Sequence, residues 1–216
     1  MIVWYDNIPV FSWLLLGGKC RNCKQHISLL YPFIEILTAI VLSFLYIFIP
    51  LHYFPAYFIF FSALIVTIRS DIETMLISRF VTIFLVPIGC IMSAYGFLPL
   101  SLTESISGAL FGYLFLFTIN SMFKYLRNMD GIGEGDFELI LFIGSFTGIL
   151  GCWMSITIGS MLGSLYGLLM LFLSKDNKSN ENYLHNAKIP FGPFLAIGAL
   201  LFTFIQEQIF SYLSIQ

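Results

Sequence analysis

Long apolar runs separated by short polar stretches dominate the chain, and their lengths select helix over strand. Runs at about 28–48, 52–68, 79–98, 104–123, 137–150, 153–173 and 191–213 carry little charge. A helix needs roughly 20 apolar residues to cross a bilayer, whereas strands are several-fold shorter. The pattern predicts an all-α fold, a polytopic membrane helical bundle of about seven transmembrane helices. The fifth run is short and passes into the sixth through "LGCW", so those two read as a tight hairpin or one broken helix. No internal repeat of fixed period is visible.

Composition agrees with lipid as the surrounding medium. Hydrophobic residues make up 58% and charged residues 10%, against about 25% charged in a soluble domain. The net charge of −2 gives no reason to expect nucleic acid as a partner. Basic residues then set an orientation, because short loops rich in Lys and Arg stay cytoplasmic. Lys19, Arg21 and Lys24 precede the first run; Arg69 and Arg79 flank the second loop; Lys124 and Arg127 lie in the fourth; Lys175, Lys178 and Lys188 lie in the sixth. With seven spans these ten, every Lys and Arg in the chain, fall on one side, which places the N-terminus inside and the C-terminus outside.

The chain therefore divides into a turn-rich cytoplasmic head, 1–27, and a transmembrane domain, 28–216. The start, "MIVWYDNIPVFSW", has neither a basic stretch ahead of an apolar run nor a small-residue cleavage site, so it does not read as a signal peptide. The polar loop 174–188 reads as a flexible segment.

Two acidic clusters interrupt this pattern at the same membrane face: "SDIETMLIS" after the second run and "GIGEGDFELI" before the fifth. Ionisable residues at membrane depth face a protein interior or a wet cavity and mark function. If helix packing joins Asp71 to Asp136, the two carboxylates cannot both ionise easily at short range, so one holds a proton. The pair then has the parts of an aspartic protease: one member as base toward water, the other polarising the scissile carbonyl and protonating the leaving amine. Gly133 and Gly135, with Gly131, would give an unwound substrate room beside the acid. Other readings stay open at this point. Either Asp could be a helix cap or a solvated loop residue, and transporters use intramembrane acids as well.

The remaining candidates are weaker. Cys90 and Cys152 fit small packing residues. His26, His52 and His185 have no ligand spacing. Pro190, Gly192 and Pro193 shape the start of the last span, where Pro is tolerated, and could border the cleft.

Taken together, the motifs resemble those of the type IV prepilin peptidases, bacterial membrane aspartic proteases of the GxGD class. "DIETMLI" (71–77) is similar to that family's first aspartate block, "GEGDFEL" (133–139) to its second, and "IPFGPFLAIGA" (189–199) to its C-terminal signature. The head through "YPFIEILTA" is similar to the block before its second helix. The resemblance implies Asp71 and Asp136 as the catalytic pair. It also implies prepilins or type II secretion pseudopilins as substrates, cut after a glycine at the cytoplasmic face of the bacterial inner membrane. Methylation of the new N-terminus with S-adenosylmethionine is a second activity of many members. Family members usually carry a further N-terminal helix and an earlier C-x-x-C, the two pairs together resembling a four-cysteine zinc site. This chain is expected to lack that first part. Cys20 and Cys23 are then half a zinc site, and methylation is in question. Glu35 matches an acidic family position, with a hydrogen-bonding role and a methylation role both open. A catalytically degenerate pilin-binding relative and a proton-coupled transporter are the alternatives to a peptidase.

Two departures flank the acids. Ser78-Arg79 stands where Pro followed by Asn or Asp is typical, with Ser78 able to cap the next helix instead. Glu138 replaces a usual Lys. If Glu138 lies close enough to the pair, its charge favours protonation there, and Glu138→Lys is expected to lower the upper pH limit of activity.

Overall fold

The computed structural model describes residues 4–128, 131–174 and 190–213. Among them a 3-10 turn, Trp4–Asn7, is followed by α1 (Phe11–Leu15), α2 (Leu30–Phe48), α3 (Phe54–Thr74), α4 (Arg79–Ala94), α5 (Leu102–Arg127), α6 (Glu134–Ser174) and α7 (Gly192–Leu213). The class is all-α, and the only β pairing among the described residues is an isolated bridge between Lys19 and His26. Four of these helices are long and apolar enough to cross a membrane, and α4 and α7 add shorter apolar ones. The seven apolar runs correspond in order to α2, α3, α4, α5, the two arms of α6, and α7. Backbone contacts divide the chain into two units, residues 1–49 and 50–216.

In the first unit the head is pinned by side chains, since its turns bury little apolar surface. Asp6 receives Arg21 in a fork, Nε to Oδ2 at 3.0 Å and Nη2 to Oδ1 at 2.8 Å. Trp13 Nε1 donates to Ile27 O at 3.1 Å. Val10 adopts φ 62°, ψ −51°, and Phe11 N donates to Pro9 O at 2.6 Å. That is a γ-turn of the rare positive-φ kind, strained for a β-branched residue. Glu35 of α2 holds it, its Oε2 accepting from Val10 N at 2.7 Å.

In the second unit, α6 is nominally one helix of 41 residues, but Gly148 interrupts it at φ 71°, ψ −170°, a region that essentially only glycine enters. The chain reverses there. Cys152 Sγ reaches Ile140 O at 3.5 Å and Gly108 O at 3.3 Å, whereas twelve residues of straight helix would separate 140 from 152 by about 18 Å. The fifth and sixth runs are thus a hairpin that turns at Gly148, just before "LGCW", with arms 134–147 and 149–174. The first arm runs antiparallel to α5, where Ser105 Oγ donates to Ser145 O at 2.6 Å and Tyr113 meets Phe137 edge-on. The second arm runs antiparallel to α7: position 151 lies by Phe202, Gly198 by Ser155, and position 163 by Phe191.

Between helices in lipid, burial from water contributes little, so close packing and interhelical hydrogen bonds take over. A Cβ at Gly108 would stand 2.5 Å from Gly148 C, so the hairpin tip and α5 meet backbone to backbone. Around Phe60 the packing is aromatic, with Phe146 stacked at 5.0 Å and Phe142 at 5.4 Å. This core joins α3 to α6, and Phe61 with Phe204 joins α3 to α7.

Candidate active site

The start of α6, the start of α7 and the end of α3 converge at one end of the second unit. The apolar run of α3 ends near 68, yet the helix continues to Thr74. Local polar bonds extend it: Arg69 pairs with Glu73 one turn on, and Thr74 Oγ1 donates to Ser70 O at 2.8 Å. Met75 then turns left-handed and ends it. Asp71 is consequently in a helix and only 5% exposed, where the apolar pattern alone would leave it in a loop. Neither acid is an N-cap. Asp71 occupies the last turns of α3, and Asp136 lies inside the first turn of α6, its amide donating to Gly133 O at 3.1 Å.

Asp136 is partly buried and lies within electrostatic reach of Asp71, which comes from a segment 65 positions earlier in the sequence. The glycine loop lies beside them. A Cβ at Gly133 would stand 3.4 Å from Asp136 Oδ2, and one at Gly135 would meet Ile77 Cβ at 2.9 Å. Asn120 of α5 pins the loop from below, its Oδ1 accepting from Gly131 N at 2.9 Å and Ile132 N at 3.0 Å. Ile77 also touches the third segment, 3.4 Å from the place of a Cβ at Gly192. Gly192 N donates to Asp71 Oδ2 at 3.0 Å.

Arg79, the first residue of α4, binds the first turns of α6 through Nη2 to Glu134 Oε2 at 2.6 Å and Nε to Glu138 Oε1 at 2.9 Å. The Glu138 charge is thus balanced by Arg79, which weakens the expectation that it loads negative charge onto the acid pair. Ser78 occupies the N-cap position, but its side chain makes no capping hydrogen bond. Sequence reasoning misses Asn120 and Ile77, and it places Gly192 at the border of the cleft without its amide's bond to Asp71. An Asn inside the otherwise apolar "FTINSMF" was the one available signal; Ile77 carries none, and a backbone N–H has no sequence signature.

The other candidates lie elsewhere. In the first unit, Cys20 and Cys23 sit on a tight turn in which Cys20 N donates to Gln25 O at 2.9 Å and Lys24 N to Cys20 O at 3.0 Å. Among the described residues no group of three or more His, Cys, Asp or Glu could hold a metal, so this pair supplies two thiols without further ligands. Glu35 takes the hydrogen-bonding role at Val10. Cys152 and Cys90 act in packing, each in a sulfur hydrogen bond. His52 bonds Gly96 O at 2.8 Å and stacks on Phe97. His185 and the polar loop lie outside the described residues.

Comparison with known proteins follows the same lines. The model of the Type IV leader peptidase family matches residues 58–168, and that of the Bacterial Peptidase A24 N-terminal domain matches residues 1–49. Among similar curated proteins, one from Xanthomonas campestris pv. campestris is 33% identical over 214 residues, covering 97% of this chain and 71% of its own. One from Pseudomonas aeruginosa is 30% identical over 210 residues, covering 95% and 68%. One from Aeromonas salmonicida is 31% identical over 198 residues, covering 89% and 64%. Each is named prepilin leader peptidase/N-methyltransferase, and this chain spans about two thirds of their length. No solved structure gives a significant match.

Proposed function

Since the chain belongs to the type IV leader peptidase family, a family of membrane proteases, we propose that it cleaves the leader from type IV prepilins or type II secretion pseudopilins, after a glycine, with Asp71 and Asp136 as the catalytic pair. The observation that carries this reading is that the two acids, 65 positions apart in sequence, lie at one end of the second unit beside a glycine loop, with Ile77 against both Gly135 and Gly192. One carboxylate is ionised and takes a proton from water as the water oxygen adds to the scissile carbonyl carbon. The other, protonated, hydrogen-bonds the developing oxyanion. When the tetrahedral species collapses, the C–N bond breaks and that proton passes to the leaving amine. Proton transfer from the first acid to the second restores the pair.

The charge pattern supports cleavage at the cytoplasmic face, with the N-terminus inside a bacterial inner membrane: Arg79, at the acid end of the second unit, is among the ten basic residues that share one side. The test is cleavage of a prepilin by the purified chain beside Asp71→Asn and Asp136→Asn. Cutting lost in both variants is expected. A folded, unmutated chain that leaves the prepilin whole, or an equally active variant, would remove the reading.

The relatives' name also suggests methyl transfer from S-adenosylmethionine, and residues 1–49 match the N-terminal domain. The first unit contains two acids: Asp6 is forked by Arg21, while Glu35 accepts the Val10 amide on Oε2 alone. The two thiols do not make up a tetrahedral zinc site.

A further inference from the structure

Asp71 is awkwardly placed for a working carboxylate. It lies near the C-terminal end of α3, where the helix dipole opposes negative charge, and it is 5% exposed, which separates it from water. What compensates comes from 121 positions later: Gly192 N donates to Asp71 Oδ2 at 3.0 Å. That amide belongs to the first turn of α7, a helix of 22 residues whose initial N–H groups have no partner within the helix. The approach is tight enough to exclude a side chain, since a Cβ at Gly192 would stand 2.7 Å from Oδ2 and 3.4 Å from Asp71 Cγ.

We propose that Gly192 is a positioning residue of the acid pair: its amide occupies Asp71 Oδ2 and thereby turns Oδ1 into the oxygen that exchanges protons with water and substrate. The inference rests on the protease reading. An oxygen that already accepts an N–H is a poorer base than its free twin, and the bond fixes the carboxylate plane. The dyad is then a three-segment device. α3 supplies one acid, α6 the other, and α7 the donor that orients the first, while Ile77 lies against both glycine turns and sets their spacing. Gly192 has no side chain through which to act, so its identity matters only through the backbone and the space left open.

The experiment compares three forms of the full chain on one prepilin: unmutated, Gly192→Ala, and a backbone ester at 192 that replaces the N–H by oxygen without adding bulk. Gly163→Ala serves as a packing control, because its Cβ would make an ordinary 3.5 Å contact with Phe194 in the first turn of α7. The ester lacks the donor, and the alanine Cβ, 2.7 Å from Oδ2, pushes that oxygen off the amide, so kcat is expected to fall roughly 10- to 100-fold in both. KM should stay within about twofold, because substrate binding is untouched, and Gly163→Ala should match the unmutated chain. If Gly192→Ala fails to fold, the ester alone decides. An ester form with unmutated kcat, or a loss confined to KM, overturns the inference while leaving the protease reading standing. An unmutated chain that cuts nothing removes both.

Discussion

Arg79 Nε lies 2.9 Å from Glu138 Oε1, and the two ends of this ion pair sit in different media. The arginine side chain is 64% exposed and the glutamate 12%. Glu138 Oε2 is buried with no hydrogen-bond partner among the described residues. Removing Arg79 would leave a nearly buried charge with nothing to answer it.

Glu138→Lys should therefore act first on stability, by an amount between the ~1 kcal/mol of an exposed pair and the ~3–5 kcal/mol of a broken buried one. The swap Arg79→Glu with Glu138→Lys should recover about half or more of that loss. Denaturation midpoints in detergent of the single and double variants measure it. A double variant no better than the sum of its parts would show that the pair is not coupled.

Gly148 offers a second test. At φ 71° and ψ −170°, an added Cβ is strained even though the nearest foreign atom is 3.8 Å away. Gly148→Ala should cost about 1–3 kcal/mol. The loss would appear as a lower midpoint of thermal unfolding, and an unchanged midpoint would argue against the reversal at this residue.

In the head, the strained turn at Val10 and its holder Glu35 give opposite expectations. Val10→Gly relieves a left-handed φ worth about 1–2 kcal/mol, less the roughly 0.5–1 kcal/mol that glycine's flexibility costs, a small gain. Glu35→Ala removes the acceptor, so the Val10 amide should lose hydrogen-exchange protection. Glu35→Gln, which keeps an oxygen there, should retain much of it. Equal protection in all three would separate Glu35 from the turn.

The head should also loosen in acid. The Arg21 guanidinium forked onto Asp6 holds that carboxyl below the usual carboxylate range. A depressed folded value means that its contribution is complete above the unfolded value, about 3.9, and is lost as pH falls through the folded one. The protection of amides around Asp6 and Arg21, taken relative to their intrinsic exchange at each pH, should fall over that interval and stay flat with pH in Asp6→Asn.

Much of this was legible from the chain alone. The seven apolar runs correspond to helical segments in order, because helix length in lipid is set by hydrophobic length. The hairpin between the fifth and sixth runs was visible as an ambiguity, and the reversal at Gly148 resolves it. Less visible was the end of α3. The apolar run stops near 68, but the helix continues to Thr74 on the Arg69–Glu73 pair and the Thr74–Ser70 bond, which no hydropathy pattern records. Ser78 had the chemistry of a cap without the geometry.

The sequence by itself determined the class, the membrane setting and the family, and pointed to the two acids as candidates, because hydrophobic length and residue chemistry are local properties of the chain. Only the tertiary structure decided what surrounds those acids. Gly192 reaches Asp71, Arg79 answers Glu138, and Asn120 pins the glycine loop. Each is a contact between distant segments, several through a backbone amide common to every residue but proline, so helix packing alone could select them.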